Sequence, residues 1–277
     1  MSRPAAAVIS GASRGIGLAL AHEFAAHGHD LVMIARDAGR LEAAAAEVRK
    51  VHAVEVVTLA VDVASAEAPG RIAAAISGRG LEIGYLVNNA GAWLAGPLLE
   101  AEPQAVANLV AVNVVAQHAL TRAIAPLIAG RGGGALMFVG SMAALVPTPS
   151  FACYGASKAF VHAMALALRQ ELKASTLTVS VLAPGLVATG FTGFTGDVAD
   201  TRWGWLVELV ASSPATVARA GYRGLVARTP IIVPGVLWRC LWLGMRCLPA
   251  GLVWRLAAWL LQPQRAMVAA ADRATGR

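Results

Sequence analysis

Ser10-Gly11-Ala12-Ser13-Arg14-Gly15-Ile16-Gly17 sits between an apolar run at residues 5–10 and apolar residues at helical spacing over 16–27. That pattern predicts a strand that turns through glycines into a helix. A helix N-terminus offers backbone N–H donors and the positive end of its dipole. Glycines at 11, 15 and 17 let the backbone turn tightly and approach a pyrophosphate closely. The spacing is G-x-x-x-G-x-G rather than the more familiar G-x-G-x-x-G.

The same alternation continues outward. Short apolar runs at 30–35, 54–61, 83–87, 135–139 and 177–182 predict further strands. Helix-spaced runs at 38–50, 66–77, 104–129 and 152–174 predict helices between them. Strands that are apolar throughout need both sheet faces covered. The expected fold is therefore α/β, a Rossmann-type doubly wound parallel sheet of about seven strands flanked by helices. Beyond Thr189 the rhythm changes. Residues 191–200 read as a Gly- and Thr-rich loop and 202–211 as a short helix. Ser213-Pro214 predicts an N-cap and first helical residue, opening a helix to about 227. Residues 230–234 form a strand-like stub. Segments 236–247 and 252–262, split by Pro249-Ala250-Gly251, predict an amphipathic helical extension.

Composition narrows the function classes. The chain has 277 residues, 57% hydrophobic and 14% charged, which excludes a disordered chain. The net charge is +7. Residues 1–201 hold 13 basic and 14 acidic residues, whereas 202–277 hold 10 arginines and 2 acids. The basicity thus belongs to the tail and argues poorly for nucleic-acid binding. Three scattered cysteines make no disulfide framework, and no spacing suggests a metal. Without a signal-peptide pattern, a cytoplasmic setting is expected.

Four more constellations carry chemistry. The second strand ends Ile34-Ala35-Arg36-Asp37, so Ala35 stands where an acid would hold a ribose 2′-hydroxyl. Arg36, with Arg14 in the glycine turn, favours a 2′-phosphate instead, and hence NADPH. Asp37 takes the acid's role if the register is shifted by two. Asn88-Asn89-Ala90-Gly91 ends the fourth strand, where strand ends line the ligand crevice. Tyr154 and Lys158 lie four apart on one helix face, with Ser141 thirteen residues upstream. A nearby ammonium lowers a tyrosine pKa from about 10 toward working pH, so that the phenol can exchange a proton with a carbonyl oxygen. Pro184-Gly185-Leu186-Val187-Ala188-Thr189 follows the sixth strand, again at the crevice edge.

In order and spacing these five constellations resemble the short-chain dehydrogenase/reductases, continuously over about 4–190 and more loosely over 213–234. The resemblance implies one catalytic, NADP-binding domain over 1–234, with 235–277 as an extension rather than an independent domain. It implies that Gly11, Ser13, Arg14, Gly15, Ile16 and Gly17 form the coenzyme loop, and that Asp62 and Val63 meet the adenine. It places Asn89, Ala90 and Gly91 beside the coenzyme, with Pro184, Gly185, Val187 and Thr189 near the nicotinamide. Asn113, Ser141, Tyr154 and Lys158 match the catalytic tetrad, with Asn113 holding a proton-relay water, and Tyr154 and Lys158 also touch the coenzyme. No metal is implied.

Trp93, Met142, Ala143, Phe151, Leu186, Phe191 and Phe194 flank these residues and predict an apolar substrate pocket. The expected activity is NADPH-dependent reduction of a hydrophobic ketone. Oxidation of a secondary alcohol such as a hydroxysteroid is the reverse direction, and a non-catalytic NADPH-binding scaffold is the alternative class. The resemblance implies a homo-oligomer, dimer or tetramer, paired through the helices at 104–129 and 152–174. For segment 236–262, Trp and Arg on amphipathic helices leave two fates open: packing on the domain or another subunit, or peripheral contact with a membrane.

Overall fold

A computed structural model describes residues 4–189, 211–249 and 251–256 of the protein. Its centre is one seven-stranded parallel sheet in the order β3-β2-β1-β4-β5-β6-β7. The strands are β1 (Ala6–Ser10), β2 (Leu31–Ala35), β3 (Val56–Ala60), β4 (Ile83–Asn88), β5 (Gly134–Val139), β6 (Leu177–Leu182) and β7 (Ile231–Ile232). The helices are α1 (Gly15–Ala26), α2 (Ala38–Val51), α3 (Ala68–Ser77), α4 (Pro103–Val110), α5 (Gln117–Gly130), α6 (Ala152–Glu171), α7 (Pro214–Val226) and α8 (Val236–Cys247).

Alternation along β1 divides the core. Ala7 and Ile9 belong to one layer, with Leu20 and Phe24 of α1, Leu41 of α2 and Val217 of α7. Ala6 and Val8 belong to the opposite layer, with Ile72 of α3, Ile124 of α5 and Val161 of α6. Both faces of the sheet are therefore covered, as the unbroken apolar strands require. The strand order runs outward from β1 in both directions, so the loops after β1 and β4 diverge and open a crevice at their C-terminal ends.

The predicted helix at 104–129 is not continuous. α4 and α5 are joined by a π-helical segment, Ala111–Ala116, wound around the buried Asn113. Such a widened turn accommodates one residue more than an α-turn, and it often marks a functional position. The stub at 230–234 contains β7, and Ser213 caps α7 by accepting from the Thr216 N–H at 3.1 Å. Of the tail, α8 matches its predicted span, and a further helix is described over 251–256. The predicted loop at 191–200, and the helix at 202–211 apart from Ala211, lie outside the described residues. Among the described residues no helix is long and apolar enough to cross a membrane.

Candidate active site

The glycine turn is built by close approach. Gly11 and Gly15 have φ of +68° and +59°, where a side chain is strained. A Cβ on Gly17 would lie 2.1 Å from the Gly11 carbonyl oxygen. Asn89 holds the turn, its Nδ2 donating to the carbonyls of Ser10 at 2.9 Å and Gly11 at 3.1 Å. Ser10 joins β1 to the end of β4: its Oγ accepts from the N–H groups of Asn89 and Ala90, both at 3.0 Å. α1 then begins with no side-chain cap, which leaves its first N–H groups to the crevice.

A cleft of about 770 Å³ opens there. The expected coenzyme residues of the loop, Asp62 and Val63, Asn89 to Gly91, and Thr189 all line it. So do Arg14, Arg36, Asp37 and Arg40. β2 ends at Ala35, and Asp37 is the N-cap of α2, accepting from the Arg40 N–H at 2.9 Å. Its other oxygen lies 3.7 Å from the Arg40 guanidinium. Arg36 is thus the first residue after the strand, and the acid two positions on is occupied with its own helix. Arg40 lies outside the strand-end motif; its place three residues after a capping acid is the one local signal for it. Open glycines, uncapped N–H groups and three guanidiniums suit a phosphate-bearing dinucleotide.

Pro184, Gly185 and Val187 do not line this cleft. The Pro184 carbonyl accepts from the Met142 N–H at 2.9 Å, and Val187 bridges to Ser212. Gly185 lies under the Trp238 indole of α8, where a Cβ would stand 2.1 Å from the ring. Gly185→Ala is therefore expected to cost about 1–3 kcal/mol through overpacking. Calorimetry should read this as a Tm lower by several degrees, and an unchanged Tm would refute the contact.

The tetrad candidates converge beside the cleft. Lys158 is 3% exposed, and its Nζ donates to the Val139 carbonyl at 2.9 Å. It lies 5.8 Å from the centre of the Tyr154 ring. Helical spacing alone would have this ammonium draw the phenol down. Instead burial pushes Tyr154 up to about 12, against a smaller downward pull from its hydrogen bond with Ser141. Burial also pushes Lys158 down to about 8. Ser141 Oγ accepts from the Ala143 N–H at 3.1 Å, fixing the turn that presents it.

The Asn113 side chain is fully engaged with protein partners. Its Oδ1 accepts from the Ala92 N–H at 2.7 Å, and its Nδ2 donates to the Ala92 carbonyl and to Ser157 Oγ, both at 3.0 Å. Ser157 in turn donates to the Tyr154 carbonyl at 2.7 Å. Asn113 therefore straps the loop after β4 to α6. His162, one turn beyond Lys158, carries no motif in the sequence. Burial, with Lys158's charge second, pushes it down to about 4.

The predicted pocket residues divide. The Trp93 ring meets Tyr154 edge-on with centroids 4.5 Å apart and lies tilted against Phe151 with centroids 4.7 Å apart, and Ala143 packs against the same cluster. Met142 belongs elsewhere, packed with Ala183 and Val233 against Trp238 and Trp242 of α8. Leu186 is half-buried, and its carbonyl accepts from the Ser212 N–H at 2.9 Å. Phe191 and Phe194 lie outside the described residues.

Comparison with known proteins agrees with this architecture. The family model for short chain dehydrogenases matches residues 5–198. The chain is 34% identical over 188 residues to a very-long-chain 3-oxoacyl-CoA reductase of Neurospora crassa, covering 66% of this chain and 56% of that protein. It is 35% identical over 191 residues to 17-beta-hydroxysteroid dehydrogenase type 3 of Homo sapiens, covering 68% and 61%. The match thus spans less than two thirds of these relatives' own length. A short-chain dehydrogenase from Sphingobium yanoikuyae, solved with NADPH, superimposes with a TM-score of 0.77 at 30% identity, over 88% of this chain and 92% of that one. The chain belongs to the short-chain dehydrogenase/reductase family.

Proposed function

We propose that the protein is an NADPH-dependent reductase of a hydrophobic ketone. The observation that carries this reading is the trio Arg14, Arg36 and Arg40 along the cleft, where the one acid at the strand end, Asp37, caps α2 and lies beside Arg40. Guanidiniums bind a phosphate through charge-assisted hydrogen bonds, whereas a ribose 2′-hydroxyl calls for a free carboxylate. The bound coenzyme supplies a hydride from nicotinamide C4 to the carbonyl carbon. Tyr154, which burial keeps protonated, gives its proton to the oxygen as the alkoxide forms. Ser141 orients that oxygen, and the Lys158 ammonium stabilises the charge left on the phenol. Trp93, which lines the cleft and packs on the buried Phe151, offers an apolar wall to the substrate.

The same groups run in reverse for a secondary alcohol. A scaffold role is disfavoured because burying a lysine beside a buried tyrosine is costly, and coenzyme binding alone does not call for the pair. The test is coenzyme oxidation with a panel of apolar ketones, using NADPH and NADH in parallel. The expected result is turnover with NADPH preferred. Arg36→Ala should lower kcat/KM for NADPH roughly tenfold or more and leave NADH nearly unchanged. Equal use of both coenzymes by the wild type would overturn the assignment.

A further inference from the structure

The outer face of the C-terminal helices is apolar where a surface helix is ordinarily polar. On α8, Trp238, Trp242 and Met245 turn inward against Met142, Ala183 and Val233. The remaining surface exposes Val236 (79%), Leu237, Leu241 and Leu243. Beyond α8, Leu248, Leu252, Trp254 (55%) and Leu256 are also exposed, while Val253 is buried. So many exposed apolar groups within some twenty residues mark a binding surface.

The charge around the patch says what it meets. Residues 236–256, which carry the patch, contain three arginines and no acid. Arg239 and Arg255 are exposed among the apolar residues themselves. A second copy of the chain would bring like charges together, whereas an anionic lipid surface is complementary in both respects. We propose that this face docks on an anionic membrane surface, with the leucines and Trp254 in the interface and the arginines among the headgroups. The described helices lie along the surface rather than crossing it, as their length requires. This inference rests on the tail alone and stands or falls separately from the reductase reading.

The test is co-sedimentation of the full chain with vesicles of phosphatidylcholine, alone or mixed with phosphatidylglycerol. Binding is expected to the mixed vesicles, with release as salt rises. Arg239→Gln and Arg255→Gln should each weaken binding about fivefold. The double substitution Leu243→Asp and Trp254→Asp should weaken it by roughly tenfold or more while leaving Tm unchanged. No binding, or equal and salt-independent binding to both vesicle types, would overturn the proposal. So would light scattering that finds an oligomer without lipid which the double substitution splits. The wild-type lipid and salt dependence decides the matter even if a variant fails to fold.

Discussion

Tyr154→Phe is expected to lower kcat for ketone reduction by about 10²–10⁴-fold, while coenzyme affinity stays within about twofold. The substitution removes one oxygen from a buried ring and keeps its edge-on contact with Trp93. Packing is therefore preserved, and only the proton donor is lost. The pH dependence sharpens the expectation. Tyr154, pushed up to about 12, keeps its proton throughout the working range. Lys158, pushed down to about 8, loses its charge as pH rises through that value. The alkaline limb of kcat/KM for the coenzyme, which reports the free enzyme, should therefore fall near pH 8 and belong to Lys158. Steady-state assays over pH, with fluorescence titration of NADPH, check both parts. A Phe variant with wild-type kcat would exclude Tyr154 as the donor.

Much of this site is legible in the sequence because its parts are local. A turn needs its glycines within a few residues, and Tyr154 and Lys158 meet because four residues make about one helical turn. The end of β2 is legible for the same reason, since Arg36 follows an unbroken apolar run. What escapes the sequence depends on distant partners. Nothing local says that Asn113 reaches both backbone groups of Ala92, or that its helix widens there. Nor does spacing reveal that Met142 faces α8 rather than Trp93, a choice made by residues far later in the chain. The phenol's upward shift follows from burial, which a four-residue spacing does not contain.

Gly17→Ala is expected to weaken NADPH binding by more than about tenfold and to destabilise the fold by about 1–3 kcal/mol or more. The new Cβ would stand 2.1 Å from the Gly11 carbonyl oxygen and 2.5 Å from Asn89 Nδ2. Neither can yield easily, because the Gly11 carbonyl accepts from that same Asn89 amide and Ser10 pins the adjoining backbone to the end of β4. Relief requires α1 to move away from the turn, and its uncapped first N–H groups move with it. Coenzyme affinity and stability should therefore fall together. Gly70→Ala is the control: its Cβ meets nothing within 4 Å, and an alanine favours the helix it occupies. Calorimetric titration with NADPH and thermal denaturation of both variants separate the two cases. Wild-type affinity in Gly17→Ala would mean that the turn is not where the phosphates bind, since no placement of a methyl group there leaves it undisturbed.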